Sequence, residues 1–512
     1  MPVIVILIFT GCDDRHFNPN KDITLNDFAQ MKNDSYGLNS HIIRSYIDTL
    51  IHYDQDSLTA DYRTRSYYLN NGDFLWITRH GLSDKADTLI SWLDHVDEEG
   101  LSKRNFRVAA LKRDLEAVRA LDVDSAGRNG INFVMARLEY NLTKAFLKYA
   151  AGQRFGYMNP SYIFNRLDVY DDKDAHVSYR GLFSLKMEHA GKNYYNVLIN
   201  RIRTDSVAET LREAKPSGYE YEALKKLLKN GSRVSRVKIL CNLERARWRL
   251  SERPDMYKKY VMVNIPSFSL YAINEGDTIS MRIGCGSFKT KTPLLTSKIK
   301  RMEINPQWIV PRSIVDKDII HHAGNVSYFN SRHFFVRNRK SGKTVFPSWS
   351  ALSDKGNLVI QEGGEGNSLG RIIFRFDNPY SVYLHHTSST DFFSREDRGV
   401  SHGCVRVEKP FELAAFLLGD GHDEELEKIS YSMSADVSSL GKKRDELSEE
   451  QQMVADTLKR DMLISRVDIN PQVPLFITYY TLYISKDGRV EEFDDVYGYD
   501  AVIYNQLRQI FE

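Results

Sequence analysis

The chain has 512 residues, of which 42% are hydrophobic and 27% are charged. This composition is that of a globular protein and excludes a disordered or collagen-like chain, and the length predicts about three domains. Lysine and arginine number 70 against 68 aspartates and glutamates, so the charge gives no support to nucleic acid as a partner. The four cysteines are too few for a disulfide scaffold and form no C-x-x-C metal motif.

Residues 1–12 form a short apolar segment that ends in Thr10, Gly11 and Cys12. A membrane-spanning helix needs about 20 apolar residues, so this segment is too short to span a bilayer. It resembles the end of a bacterial lipoprotein signal, in which Cys12 would become the lipidated mature N-terminus. The alternative is an apolar N-terminus without function. Since no other stretch approaches membrane length, we expect membrane attachment only through a lipid anchor.

Residues 13–255 are predicted to form a helical domain. Ala86, Leu89 and Leu93 recur with helical spacing after Ser83, a favourable N-cap residue. The segment 138–149 repeats this apolar spacing. Residues 215–218 then interrupt the pattern, and a short amphipathic helix is predicted over 221–228.

Near residue 256 the apolar pattern changes to the period of strands. Strands are predicted at 260–265, 270–273, 278–283, 372–374 and 382–384, and a helix is predicted between Pro410 and Gly419. We therefore expect a mostly-β domain over 256–424 that contains a long insert at 315–360. A charged helical segment follows at 425–465, and its charges are most simply explained as a solvated helix face. Residues 466–512 are predicted to add a last hairpin, with strands 475–484 and 490–493, and a helix that pack on the β domain.

One segment carries the residue types of acyl-transfer chemistry. His385 ends a predicted strand, and Cys404 follows it within the sequence Ser-His-Gly-Cys-Val-Arg at 401–406. A thiol has a reference pKa of about 8.5 and needs a base to become a nucleophile at neutral pH, for which His385 and His402 are candidates. Gly403 lacks a side chain, so the backbone N–H groups of Gly403 and Cys404 could approach a substrate oxygen.

Two other interpretations of these residues remain open. Cysteine is often simply buried in a core, and His385, His386, His402 and Cys404 could instead bind zinc. The spacing of His402 and Cys404 is uncommon for a zinc pair, which makes zinc the weaker alternative.

The segment 401–406, together with the upstream His385, resembles the signature of the YkuD-type L,D-transpeptidases, which cross-link peptidoglycan. Segments 305–314, 367–370 and 374–385 resemble the large, multidomain YcbB-like subgroup of that family. The resemblance implies a multidomain α+β protein, with an N-terminal α-helical scaffold domain followed by a mostly-β YkuD-type catalytic domain. It also implies that the 315–360 insert is a lid.

The resemblance assigns roles to five residues around the cysteine. Cys404 would be the nucleophile and His385 the general base, with the backbone carbonyl of His386 orienting the imidazole. His402 and Gly403 would support the reaction from the same loop.

Three further residues would bind the substrate according to the same resemblance. Arg406 would hold either the local loop or a substrate carboxylate, and Tyr383 and Trp349 would line the binding groove. A peptidoglycan-binding element inside the helical part is doubtful, since only 216–231 offers a short candidate.

The implied reaction releases D-Ala from a donor tetrapeptide stem and joins the resulting acyl group to the diamino-acid amine of an acceptor stem, giving a 3→3 cross-link. No cofactor or metal is required, and carbapenem-type β-lactams are implied inhibitors. The expected location is the bacterial envelope on the periplasmic side, with peptidoglycan synthases as candidate partners. An L,D-carboxypeptidase using the same site and a non-catalytic peptidoglycan-binding scaffold are the alternatives. Cys404 should be free, which leaves Cys241 and Cys285 as the candidate disulfide pair.

Overall fold

The structure is a computed structural model that describes residues 37–78, 80–124, 127–171, 178–442, 444–485 and 488–512. The apolar N-terminal segment and the predicted lipidation site Cys12 lie outside these residues. Within the described ranges, no helix is both long enough and apolar enough to cross a bilayer.

The described part of the N-terminal half is helical. Its helices are α1 (Ser40–His52), α2 (Thr59–Leu69), α3 (Lys85–Leu93), α4 (Val108–Arg119), α5 (Ile131–Phe155), α6 (Pro160–Phe164), α7 (Lys192–Arg203), α8 (Val207–Ala214), α9 (Tyr219–Asn230) and α10 (Arg236–Arg247). Short strands accompany them: β1 (Ile77–Thr78) pairs with β2 (Gly81–Leu82), and β3 (Val169–Asp171) pairs with β4 (Ser178–Tyr179). The predicted helices at 86–93, 138–149 and 221–228 are confirmed, although α3 starts after Asp84 rather than at Ser83.

Helix α5 is the centre of this helical domain, because it contacts α1, α2, α3, α4, α7, α8 and α10. Its burial continues around the whole circumference, as expected for a helix enclosed by others. Several of the polar side chains buried on this helix have partners, although Oδ1 of Asn141 has none among the described residues. The carboxylate of Glu139, for example, accepts hydrogen bonds from the N–H groups of Trp76 and Ile77 at 2.9 and 3.1 Å and from the hydroxyl of Tyr68 at 2.7 Å.

The C-terminal half is rich in strands. They are β5 (Phe183–Ser184), β6 (Lys259–Asn264), β7 (Ser269–Asn274), β8 (Asp277–Gly286), β9 (Leu294–Ile304), β10 (Trp308–Ile309), β11 (Phe334–Asn338), β12 (Thr344–Val345), β13 (Asn357–Gln361), β14 (Ile372–Phe376), β15 (Leu384–His385), β16 (Gly399–Ser401), β17 (Val405–Val407), β18 (Arg466–Thr478), β19 (Leu482–Ile484) and β20 (Val490–Glu492). The helices are α11 (Arg312–Lys317), α12 (Val326–Ser331), α13 (Trp349–Ser353), α14 (Pro410–Leu418), α15 (Asp423–Ser434), α16 (Glu449–Thr457) and α17 (Tyr499–Phe511). Helix α14 confirms the prediction between Pro410 and Gly419.

Eight of these strands close into a ring in the order β14-β15-β17-β8-β7-β6-β18-β9. The ring closes because β9 pairs with both β18 and β14. The β15–β17 and β18–β6 pairs are parallel, and the other neighbours in the ring are antiparallel. Closure leaves no long open edge in the ring, and the mostly-β domain predicted from the sequence is confirmed.

The long insert forms a separate sheet with the strand order β10-β13-β11-β12 and a small core of its own. The chain leaves the ring after Ile304 and returns at Ile372, and these two residues pair directly with each other. The sheet begins earlier than the predicted insert 315–360, because Trp308 of β10 pairs with Gln361 of β13.

The prediction of one strand over 475–484 is wrong. Strand β18 ends in the ring at Thr478, and β19 pairs only with β20 among the described strands. The chain turns here because the side chain of Asn264 binds both backbone groups of Tyr480, at 2.8 and 3.0 Å. Residues 486–487 of the predicted turn lie outside the described ranges. The last helix, α17, packs on α10, where Arg245 and Asp500 form an ion pair at 2.6 Å.

Candidate active site

Two adjacent parallel strands bring the predicted catalytic residues together. In the pairing of β15 with β17, Leu384 lies opposite Val405 and His385 lies opposite Arg406. Leu384 and Val405 are fully buried core residues, and side chains alternate along a strand, so His385 and Arg406 point away from that core. Cys404 immediately precedes β17.

The His385 imidazole is held in one orientation. The residue is only 4% exposed, and Nδ1 lies 2.6 Å from the backbone oxygen of His386. Because a carbonyl oxygen can only accept a hydrogen bond, Nδ1 carries the proton and Nε2 of the neutral ring keeps its lone pair. Burial lowers the pKa of His385 to about 4, and the nearby charge of Arg406 acts in the same direction.

The Cys404 side chain is half-buried and free, with Sγ 3.8 Å from the backbone oxygen of Ser381. Burial raises the pKa of the thiol above its ordinary value. The N–H of Tyr383 and the charges of Arg406 and Arg375 oppose this shift in pKa without cancelling it. Burial thus shifts the pKa of both groups toward their uncharged forms, the thiol and the neutral imidazole.

The turn before Cys404 is held by hydrogen bonds among its own residues. Gly403 has a φ of +122°, a conformation that favours glycine, and its N–H donates to Oγ of Ser401 at 3.0 Å. The Ser401 hydroxyl in turn donates to the backbone oxygen of Cys404 at 2.6 Å. The Gly403 N–H is thus not free to meet a substrate oxygen, contrary to the expectation from sequence. The N–H of Cys404 has no hydrogen-bond partner among the described residues.

The other two histidines differ in their surroundings. His402 is exposed on the turn and makes no side-chain hydrogen bond or ion pair with the described residues. His386 is half-buried, and its Nδ1 accepts a hydrogen bond from the N–H of Arg371 at 3.0 Å. The His386 ring therefore faces the segment at 370–371, and only the His386 carbonyl contacts His385.

Arg406 and Tyr383 lie beside the thiol, whereas Trp349 does not contact it. Arg406 is half-buried over the Phe392 ring at 5.5 Å, and its Nε has no hydrogen-bond partner in the described structure. The guanidinium of Arg375 lies 4.4 Å from the centre of the Tyr383 ring. Trp349 starts α13 in the insert and is 66% exposed, with no contact to the cysteine or to His385 among the described ring and hydrogen-bond contacts.

Sequence reasoning missed Arg375 and the loop at 287–292. Glu303 holds Arg375 through a hydrogen bond of 3.0 Å from Nε. In the loop, Thr290 Oγ1 donates to the backbone oxygen of Ser401 at 2.7 Å, and Thr292 Oγ1 donates to that of Gly403 at 2.9 Å. The sequence pattern alone assigns no role to Thr292.

The geometry also bears on the zinc alternative. Nδ1 of both His385 and His386 already has a backbone partner. Across the described ranges, no group of three or more His, Cys, Asp or Glu side chains is arranged to hold a metal ion. Cys241, Cys285 and Cys404 are all free.

Two family models match successive parts of the chain. Residues 258–434 match the YkuD family of L,D-transpeptidase catalytic domains, and residues 62–228 match the family called Scaffold domain. A putative L,D-transpeptidase of Haemophilus influenzae is 27% identical over 259 residues, which cover 50% of this chain and 47% of the relative. The chain thus spans about half the length of the curated relative it matches.

A solved L,D-transpeptidase from Mycobacterium smegmatis is 11% identical and covers 43% of this chain and 58% of that chain, with a TM-score of 0.19. The matches to the two families define the class of protein: the chain carries a YkuD-type L,D-transpeptidase catalytic domain. With the preceding Scaffold domain, it has the multidomain arrangement of the YcbB-like subgroup, which confirms the resemblance found in the sequence.

Proposed function

We propose that this protein is an L,D-transpeptidase that forms 3→3 peptidoglycan cross-links through a thioester on Cys404. The observation that carries the proposal is the contact of 2.6 Å between His385 Nδ1 and the His386 carbonyl. It keeps the lone pair on Nε2 of a buried, neutral imidazole whose strand pairs with β17, which begins directly after Cys404. An imidazole in this state can accept a proton from the thiol at neutral pH.

In the first half-reaction, Sγ of Cys404 attacks the carbonyl carbon of the third residue in a donor tetrapeptide stem, and His385 takes the thiol proton. The carbonyl oxygen becomes an oxyanion, and the N–H of Cys404 is the donor available to stabilise it. The peptide bond to the terminal D-Ala then breaks, and the proton on His385 passes to the departing amine. The stem is left as a thioester.

In the second half-reaction, the side-chain amine of an acceptor stem attacks the thioester carbon. His385 accepts a proton from this amine, and the same proton returns to sulfur as the thiol leaves. One peptide bond is broken and one is formed, so no nucleotide or metal enters the balance. A cross-link between two third residues results.

The positive charges near the thiol fit a peptide substrate that bears carboxylates. The half-buried guanidinium of Arg406 is our candidate for a substrate carboxylate, since a guanidinium binds this group well. Tyr383, held by Arg375, is proposed to line the groove beside Cys404, and the exposed Trp349 is proposed to contact longer parts of the substrate. His402 is proposed to support the reaction from the turn before Cys404.

A substrate of this kind places the enzyme outside the cytoplasm, in the bacterial envelope. Lipidation of Cys12 would attach the enzyme to a membrane, and peptidoglycan synthases would be natural partners because they make the strands that it joins.

The test is mass spectrometry of the products after the protein is incubated with purified disaccharide-tetrapeptide. We expect dimers that have lost one D-Ala, and Cys404→Ala should lower their rate of formation by at least about a thousandfold. Cys241→Ala is the matched control, since it removes a thiol that is buried in α10, and it should retain activity. Tripeptide monomers alone would indicate an L,D-carboxypeptidase. Unchanged substrate with every variant would favour a non-catalytic scaffold.

A further inference from the structure

A chain of polar contacts connects the Scaffold domain to the turn that carries Cys404. Its first contact is an ion pair between Asp168, four residues after α6, and Lys291 of the catalytic domain, with Nζ 2.8 and 2.9 Å from the two carboxylate oxygens. The Lys291 side chain is only 4% exposed, so this pair is shielded from solvent. Because Lys291 is buried, loss of Asp168 would leave its charge without compensation, which makes this contact costly to break.

A second contact from the Scaffold domain reaches the same loop. Nη1 of Arg180 donates to the backbone oxygen of Lys289 at 2.6 Å. The loop at 287–292 is therefore fixed at two points by residues that lie between 62 and 228, the range of the Scaffold domain.

The loop at 287–292 in turn fixes the backbone of the nucleophile turn. The Ser401 carbonyl accepts hydrogen bonds from Oγ1 of Thr290 at 2.7 Å and from the N–H of Ser287 at 3.1 Å. The Gly403 carbonyl accepts from Oγ1 of Thr292 at 2.9 Å. These two carbonyls lie on the residues that immediately lead into Cys404.

The approach between loop and turn depends on a glycine. A side chain at Gly286 would place its Cβ 2.1 Å from the backbone oxygen of Thr290, so the loop can close back only because that side chain is missing. The N–H of Gly286 also donates to Oγ1 of Thr292 at 2.9 Å. The loop is thus a tightly closed connection, through which a contact at Lys291 can act on the turn.

We propose that Asp168 and Lys291 are positioning residues for Cys404. Through the loop at 287–292 they hold the carbonyls of Ser401 and Gly403, and so set the direction of the Cys404 N–H and Sγ. The Scaffold domain then contributes to the rate of the chemical step, although none of its residues contacts the substrate. The kinetic part of this inference rests on the proposed function, whereas its structural part does not.

The experiment compares the full protein with Asp168→Asn, Lys291→Met, Lys291→Arg and the charge exchange Asp168→Lys with Lys291→Asp. Glu492→Gln is the matched control, because it breaks the ion pair at 2.8 Å between Lys238 of α10 and Glu492, which makes no contact with the loop at 287–292. Three quantities are measured: the thermal unfolding temperature, hydrogen exchange of peptides covering 399–406, and kcat and KM for release of D-Ala.

We expect Asp168→Asn and Lys291→Met to accelerate exchange at 399–406 and to lower kcat about tenfold with KM within about twofold, since misplacement of a reacting group acts mainly on the chemical step. Lys291→Arg and the charge exchange should restore most of the loss, and Glu492→Gln should match the wild type. If one single variant does not fold, the other tests the same contact from the opposite domain.

Unchanged exchange at 399–406 in both single variants would overturn the inference, and so would a loss that appears equally in Glu492→Gln. Accelerated exchange in a protein whose wild type releases no D-Ala would support the positioning contact and would refute the proposed function instead. The two failures can therefore be told apart.

Discussion

The buried carboxylate of Glu139 in the Scaffold domain and the polar groups of the catalytic turn differ in their hydrogen bonding. In the Scaffold domain, the fully buried carboxylate of Glu139 accepts hydrogen bonds from the N–H groups of Trp76 and Ile77 and from the hydroxyl of Tyr68. At the catalytic turn, the N–H of Cys404 and Nε of Arg406 have no such partners in the described structure.

This difference in hydrogen bonding has consequences for stability and for binding. A buried polar group that is fully bonded stabilises a single arrangement of the elements around it, whereas leaving such a group unbonded costs stability. The unbonded donors at the catalytic turn lower the stability of the fold. A bound ligand would supply the acceptors that they lack. The bonded carboxylate of Glu139 therefore stabilises the Scaffold domain, whereas the unbonded donors beside Cys404 are candidates for contacts with a substrate.

The largest expected effect is a loss of kcat when the proposed general base, His385, is replaced. His385→Gln keeps a polar side chain but removes the proton acceptor, so we expect kcat to fall by about 10²–10⁴-fold while the fold is retained. The wild type should be active with a neutral ring, and its kcat/KM should fall as the pH drops through about 4, where His385 becomes protonated.

The measurement is the pH–rate profile of D-Ala release for both proteins. The acid limb should be missing in His385→Gln. A wild-type limb near the ordinary histidine value of 6.5 would show that the working base is not the buried ring described here.

The next effect should appear in stability instead of activity. Glu139→Ala leaves the N–H groups of Leu75, Trp76 and Ile77 without their acceptor, so we expect the free energy of unfolding to fall by about 3 kcal/mol. Urea unfolding measures the change. Glu116→Ala, at an exposed position of α4, is the control and should change it by less than about 0.5 kcal/mol. The kcat of the folded Glu139→Ala protein should match the wild type, and a large loss of kcat with normal stability would contradict the comparison.

The smallest effect is expected at His386. Its carbonyl orients His385, and a substitution keeps that carbonyl, so His386→Ala should change kcat by no more than about threefold. The side chain accepts from the N–H of Arg371, and losing this bond should lower the free energy of unfolding by about 1 kcal/mol. Steady-state kinetics and urea unfolding measure the two effects. A loss of kcat as large as that of His385→Gln would mean that the His386 ring itself takes part.

Much of this site could be predicted from sequence because its information is local. Cys404 lies within the short segment 401–406, whose residue types together indicate a reactive thiol, and His385 lies at the end of a predicted strand. The change from helical to strand spacing likewise lies within a few residues of Lys259, where β6 begins.

What sequence reasoning could not supply depends on pairing between distant segments. Arg375 reaches the site because β14 pairs with β9, and the loop at 287–292 reaches it because β8 pairs with β17. The end of β18 at Thr478 is set by Asn264, which is far away in the chain. The pattern of residues within one segment cannot show which distant segments it will contact.

The direct pairing of Ile304 with Ile372 gives the insert an unusual independence. The two ends of the insert lie next to each other in the ring, like the two ends of a hairpin turn. The whole insert is therefore one long connection between neighbouring strands β9 and β14. The entropic cost of closing such a connection rises only slowly with its length. The size and shape of the insert can therefore vary between related proteins while the strands that carry His385 and Cys404 keep their register.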